Sequence, residues 1–129
     1  MREIALFYNF SEERLRKARF ALLPLKISVK AVAKEEFNQP LGYLVGIKEI
    51  APADTQYDGE GFDDEMLVLH NFTNKSLDSM LRALSKCGVG RVPLKAVITP
   101  TNKDWNSIEL HKAVKADHEQ MTAGKQSNQ

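Results

Sequence analysis

IALFYNFSEERLRKARFALL, at residues 4–23, aligns without a gap with MLVLHNFTNKSLDSMLRALS, at residues 66–85. The similarity continues downstream, because Lys30-Ala31-Val32 matches Lys95-Ala96-Val97 once three residues are inserted in the second copy. A match that extends over several consecutive segments is the signature of an internal repeat. The sequence therefore predicts a chain that is built from two copies of one unit.

Each copy has the pattern of a strand, a helix, a second strand and a second helix. The opening strands are short apolar runs, typical of strands that are buried on both faces. Ser11 and Thr73 follow them as helix N-caps, and Gly88 is placed to end the helix of the second copy as a left-handed C-cap. The predicted strands are residues 3–8, 27–33, 66–70 and 94–98, and the last helix covers about residues 104–118.

A strand, a helix of about a dozen residues and a second strand form a right-handed crossover with parallel strands. Two such units predict an α/β fold, a tandem βαβα repeat that forms a four-stranded, mainly parallel sheet with helices. A ferredoxin-like α+β sheet is the alternative, because the pattern leaves the strand order open. One domain is predicted at residues 1–118, with repeats at about 1–47 and 66–118, followed by a disordered tail at 119–129.

The two copies are joined by an acidic segment, IAPADTQYDGEGFDDE, at residues 50–65. A connection of this length in a compact domain is expected to be either functional or mobile. Asp54, Asp58 and Glu65 nearly match the spacing of an EF-hand calcium loop, but Gln56 replaces a ligand and a strand follows instead of a helix. The segment is therefore interpreted as a solvated linker, and no metal or cofactor is predicted.

The 129-residue chain has a formal net charge of +1 and a hydrophobic content of 43%. This balance does not favour nucleic-acid binding, since that function requires a basic face. Basic residues gather between Arg14 and Lys34, where they are interpreted in part as the solvated face of a helix. One cysteine cannot form an internal disulfide, and neither a signal peptide nor a membrane-spanning run is recognisable. A cytoplasmic protein without membrane contact is expected.

Few residues of the chain are suited to catalysis. Cys87 completes an apolar helical stripe, which predicts a buried structural thiol instead of a reactive thiolate. His70 is a candidate base, whereas His111 and His118 lie seven residues apart, too far for a helical metal site, and are predicted at the surface. No phosphate loop, nucleophile elbow or CxxC motif occurs in the sequence. No catalytic residue is therefore predicted.

Polar side chains follow both strands of the second copy. In open α/β sheets, ligands bind beyond the carboxyl ends of the strands. If the strands are all parallel, these amide and hydroxyl groups gather at one edge and suit a small polar or anionic ligand. The other interpretation is structural, with Pro100 forming a turn and Asn102 capping the last helix. The predicted ligand-binding residues are His70, Asn71, Thr99, Thr101, Asn102 and Trp105.

LKAVITPTNKDW, at residues 94–105, follows MLVLHNF and an amphipathic helix. This combination resembles a family of small bacterial and archaeal domains of unknown function, number 3783, mainly over residues 65–115. The resemblance implies a prokaryotic intracellular protein and transfers no activity. The first copy lacks the Thr-Pro-Thr-Asn motif, so that one site in each chain is expected.

Three functions remain open from the sequence. A non-catalytic domain that binds a small polar or anionic ligand, or has a regulatory role, accounts best for polar strand ends that lack an acid–base pair. A protein-interaction module that forms a homodimer is the second, and an enzyme that uses His70 or Cys87 is the third.

Overall fold

The computed structural model describes residues 2–127, with side chains described as far as residue 120. Over this range the chain alternates between strands and helices around one sheet. The strands are β1 (Ile4–Tyr8), β2 (Ser28–Ala31), β3 (Met66–His70) and β4 (Leu94–Val97). The helices are α1 (Glu12–Leu22), α2 (Leu41–Leu44), α3 (Asn74–Lys86) and α4 (Ser107–Ser127), with a short 3-10 helix at Lys34–Glu36.

The four strands form one mixed sheet in the order β2-β1-β3-β4. β1 is parallel to β2 and β3 is parallel to β4, whereas the two central strands are antiparallel, with Leu6 opposite Val68. The predicted α/β fold with a mainly parallel sheet is therefore confirmed. The two crossovers lie side by side and do not interleave, unlike the ferredoxin-like alternative. Because β1 and β3 run in opposite directions, the loops that follow them lie at opposite ends of the strands.

The outer strands do not follow the sequence alignment of the two copies. Lys30 lies opposite Leu6, whereas Lys95 lies opposite Leu67 and not opposite Val68, which aligns with Leu6. A shift of one residue along a strand exchanges the two faces of the sheet. The two Lys-Ala-Val stretches therefore do not occupy equivalent positions, and the repeat stays a prediction from the sequence.

Alternate residues of the central strands pack on opposite faces, as the period of a strand requires. On one face, Phe7 and Leu69 belong to a buried cluster that also includes Leu22 of α1 and Leu84 of α3. On the other face, Tyr8 belongs to a second cluster, which α2 and α4 cover together with the 50–65 segment. Both clusters bury large apolar side chains, so the sheet is covered on both faces.

The 50–65 segment is held against the second cluster, so its interpretation as a solvated linker is wrong. The side-chain amide of Asn9 donates hydrogen bonds to the backbone oxygens of Phe62 (2.8 Å) and Asp64 (2.9 Å). Arg14 contacts Glu65 through two hydrogen bonds of 2.7 and 2.8 Å, the strong bidentate geometry of a guanidinium and a carboxylate. The segment therefore ties the beginning of α1 to the beginning of β3.

Helix α4 begins with reciprocal hydrogen bonds between Asn106 and Glu109, each backbone N–H donating to the other side chain at 2.9 Å. Ser107, the first residue of α4, is fully buried and shares a 2.7 Å hydrogen bond with the Tyr8 hydroxyl. This contact fixes α4 to the central strand β1. Burial raises the pKa of Tyr8 well above its usual value.

Helix α4 extends to residue 127, beyond the predicted end of the last helix at about residue 118. Residues 128 and 129 lie outside the described residues, and the disordered tail at 119–129 stays a prediction. Of the helices in the described part of the chain, none has the length and apolar composition that crossing a membrane requires.

Candidate functional site

The turn after β4 uses most of its polar groups internally. The backbone N–H of Thr99 donates to Asn102 Oδ1 (2.8 Å), and the backbone N–H of Asn102 donates to Thr99 Oγ1 (3.2 Å). Asn102 Nδ2 donates to the backbone oxygen of Val97 at 3.0 Å. Asn102 therefore closes this turn and does not cap the last helix, a role that Asn106 fulfils.

The predicted ligand-binding residues do not line a single pocket. His70 and Thr99 line a depression of about 260 Å³ beside Lys103, and burial lowers the pKa of His70 there. Asn102 and Trp105 line a different depression, of about 530 Å³, on the other side of the turn.

Two of the predicted residues line neither depression. Thr101 is exposed on the turn, and Asn71 is exposed with a left-handed backbone (φ 69°). The side-chain amide of Asn71 donates to the backbone oxygen of Arg2 at 3.1 Å, which gives it a structural role at the beginning of the chain. The predicted residues are therefore divided between two depressions, and they form only part of the lining of each.

The larger depression, the β4–α4 cleft, lies between β4 and the first turns of α4. Its volume falls within the range of about 300–1,000 Å³ that is typical of small-molecule sites, whereas the depression at His70 falls below it. Leu110 and Val114 contribute apolar surface. Its polar and aromatic lining is Arg91, Lys95, Asn102, Trp105, Asp117 and His118. The cleft is therefore the better candidate for a ligand site.

Trp105 is positioned in the cleft by its own backbone. Its N–H donates to the Asn102 oxygen (2.9 Å), and its carbonyl accepts from the N–H of Leu41 (2.8 Å). The side chain is half-buried and packs partly against the second cluster, so one part of the indole belongs to the core and another part faces the cleft. A rigid indole of this kind offers a stacking surface for a planar group.

The charge of the cleft is mainly positive. Arg91 and Lys95 are both among the lining residues, and burial together with the charge of Arg91 lowers the pKa of Lys95. Lys95 Nζ donates a 2.5 Å hydrogen bond to the Val92 oxygen, which orients the ammonium group. Asp117 supplies the one carboxylate among the described lining residues. The cleft suits an anion, and Asp117 can accept a hydrogen bond from a hydroxyl or amino group beside it.

The cations, the carboxylate and the indole of the cleft suit binding of a ligand. The described lining of the cleft includes no serine, threonine or cysteine to act as a nucleophile. Cys87 lies at the end of α3, half-buried against the first cluster, with its thiol 3.4 Å from the Leu84 oxygen. Among the residues whose side chains are described, no three His, Cys, Asp or Glu residues form a group that could hold a metal ion.

His111 is the residue that the sequence interpretation missed. Its side chain is 12% exposed, and Nε2 lies 2.8 Å from Asp64 Oδ2. The imidazole stacks on Phe62 with ring centroids 3.9 Å apart and planes 5° apart, and Lys115 Nζ lies 3.5 Å from the same Asp64 oxygen. The prediction that His111 is a surface residue was wrong. The sequence contained one sign of this contact, because Phe62 stands beside two carboxylates in an otherwise polar segment.

This cluster lowers the pKa of Asp64. The hydrogen bond from His111 is the largest cause, burial opposes it, and the charge of Lys115 adds to the lowering. The contact holds the 50–65 segment on the same stretch of α4, residues 110–118, that lines the cleft. Its role is therefore to position α4.

One comparison with known proteins identifies part of the chain. Residues 65–121 match the model of a family that is described as a domain of unknown function, DUF3783. No curated protein and no solved structure matches the chain. The residues that line the β4–α4 cleft all lie within the matched segment. The resemblance seen in the sequence is thereby confirmed: the β3-α3-β4-α4 half of the fold is similar to the domain of unknown function DUF3783.

Proposed function

We propose that the protein is a non-catalytic cytoplasmic domain that binds a small anionic ligand with a planar group in the β4–α4 cleft. The observation that carries the proposal is the combination of the Trp105 indole with Arg91 and Lys95 around a cavity of about 530 Å³. The indole stacks on the planar group, the two cations pair with the anion, and Asp117 accepts a hydrogen bond. A regulatory role follows if occupancy of the cleft changes how α4 packs on β4.

The cytoplasmic assignment is part of the same proposal. Cys87, the sole cysteine of the chain, is a thiol that packs against the first cluster and has no second cysteine to pair with. Such a thiol suits a reducing compartment. The resemblance to bacterial and archaeal domains supports a prokaryotic source for this protein.

The sole tryptophan makes the test direct, since Trp105 reports on the cleft by its fluorescence. Adenosine monophosphate, benzoate and inorganic phosphate are titrated into the full chain. We expect saturable quenching by one of the two planar anions with a Kd of about 0.1–1 mM, and a weaker response to phosphate. Arg91→Ala should weaken binding about tenfold, which corresponds to about 1.4 kcal/mol.

The matched control is Arg82→Ala, which removes an exposed cation of α3 on the opposite face of the sheet. It should leave the titration unchanged. Equal weakening by the two arginine substitutions would show only non-specific attraction of anions. If none of the three probes changes either the fluorescence or the melting temperature at about 10 mM, the proposal is wrong.

A further inference from the structure

Helix α1 has a second apolar stripe that the core does not use. Leu15, Ala18 and Leu22 pack into the first cluster. Phe20 and Leu23, by contrast, are 81% and 73% exposed. Exposed large apolar residues that are grouped together mark interaction sites more often than isolated ones do.

These two side chains line a groove of about 640 Å³ between α1 and the outer strand β2, which is called the α1–β2 groove below. Ile27 and Val29 contribute further apolar surface to it. The groove lies in the first half of the fold, outside the segment that matches DUF3783.

The rim of the groove is basic. Arg2, Arg16, Arg19 and Lys26 line it, and no Asp or Glu occurs among its described lining residues. Arg16, Arg19 and Phe20 of α1 and its C-cap residue Leu23 are spaced by three, one and three residues, so they lie on one face. Apolar surface between cations is complementary to an apolar stripe between carboxylates.

The edge of the sheet favours a helical occupant over an added strand. β2 is an edge strand, but Arg19 Nη1 already donates a 3.0 Å hydrogen bond to the Val29 oxygen. A chain that paired with β2 would have to displace this contact. A helix that lies along α1 leaves it in place and inserts side chains three and four residues apart into the groove.

Two other occupants fit less well. In a twofold homodimer the same patch faces itself, so the four cations of one chain would face the four cations of the other. An anionic membrane surface would attract the cations and contact Phe20 and Leu23, but a flat surface would leave the apolar surface of Ile27 and Val29 within the groove uncovered.

We propose that the α1–β2 groove binds an amphipathic helical segment of another protein, whose apolar stripe contacts Phe20 and Leu23 and whose flanking carboxylates pair with Arg16 and Arg19. The site is independent of the β4–α4 cleft. The protein would then join an acidic partner to the domain that carries the cleft.

The test uses a fluorescein-labelled peptide composed of leucine, alanine and glutamate, with leucines three and four residues apart. The peptide has about 18 residues, because shorter isolated helices are only marginally stable in water. A scrambled peptide of the same composition is its control. Anisotropy with the full chain should give a Kd of about 1–100 μM for the patterned peptide, which rises as salt is added.

Phe20→Ser should weaken binding of the patterned peptide at least about tenfold, as expected for an aromatic contact at the centre of an interface. Leu81→Ser, which removes an apolar side chain that is 37% exposed on α3, should leave it unchanged. Absence of binding, equal binding of the scrambled peptide, or equal affinities of the two variants would overturn the proposal.

Two further measurements separate the other occupants. Co-sedimentation with vesicles of phosphatidylserine and phosphatidylcholine that is lost in Phe20→Ser, without peptide binding, would overturn the proposal in favour of a membrane surface. Sedimentation of the native chain as a dimer that Phe20→Ser converts to a monomer would overturn it in favour of a second copy.

Discussion

Helices α1 and α3 cover the same face of the sheet, but they differ in what they leave exposed. Both begin after a hydroxyl N-cap, Ser11 or Thr73, and both bury a leucine fully at aligned positions, Leu22 and Leu84. Their outer faces are unlike. The positions of α3 that align with Arg16, Arg19, Phe20 and Leu23 of α1 are Asp78, Leu81, Arg82 and Ser85.

This difference distinguishes the inner stripe of each helix, which folding requires, from the outer face, which folding does not determine. The shared inner stripe is sufficient to hold each helix on the sheet, since α3 packs there with an outer face of mixed charge. The additional aromatic and aliphatic surface of α1 therefore needs another explanation than folding. Because exposed apolar surface lowers solubility, its presence on α1 supports a binding role.

The largest expected effect tests the similarity of the two helices. Leu22→Ala and Leu84→Ala should each lower the free energy of unfolding by about 2–5 kcal/mol, because each leaves a cavity in the first cluster. Urea denaturation of the two variants measures both values. A cost below about 1 kcal/mol for either variant would show that its helix contributes little to the core, and the comparison would fail.

An intermediate effect tests the segment that joins the two halves. Asp64→Asn should lower the free energy of unfolding by about 0.5–1 kcal/mol at pH 7, since a partly exposed ion pair contributes little. The pKa of Asp64 is lowered from 3.8 in the folded protein. Its contribution is therefore present above that pH and is lost as the pH falls through the lowered pKa.

Urea denaturation at pH 7 and at about pH 2 checks this prediction, because the native chain and the variant should differ only at the higher pH. Asp63→Asn is the matched control, since Asp63 is an exposed neighbour in the same segment. Equal losses of unfolding free energy in the two variants would show that the contact with His111 makes no specific contribution to stability.

The smallest expected effect sharpens the contrast between the outer faces. Phe20→Ser should change the free energy of unfolding by less than about 0.5 kcal/mol, because the side chain is 81% exposed and the two residues have similar helix propensities. Urea denaturation measures the change. A loss above about 1.5 kcal/mol would mean that Phe20 packs in the native fold, and the α1–β2 groove would then be structural.

The parts of the fold that were predictable are those that local sequence determines. β3 was predicted with its observed bounds, because a continuous apolar run between polar residues indicates a buried strand. The antiparallel pairing of β1 with β3 was not predictable, since it joins residues that are far apart in the chain. The register of β2 was not predictable either, because four residues with little alternation do not reveal which face is buried.

The candidate site was predictable to a similar extent. Asn102 and Trp105 were predicted as ligand-binding residues and both line the β4–α4 cleft, whereas Arg91 and Lys95 of the same cleft were not singled out. Charged residues near a strand are ordinary in sequence, and only the position of α4 gives them a shared cavity. His111 was missed for the same reason, because its partner Asp64 precedes it by 47 residues.

The antiparallel contact of β1 with β3 has a consequence for how the molecule assembles. Each parallel ladder joins strands that are close in the chain, whereas the central ladder joins distant ones. Loops that close over short distances cost less entropy, so each crossover can form before the centre of the sheet does. We therefore expect the last step of folding to resemble the docking of two preformed half-sheets, with the 50–65 segment acting as the tether that keeps them together.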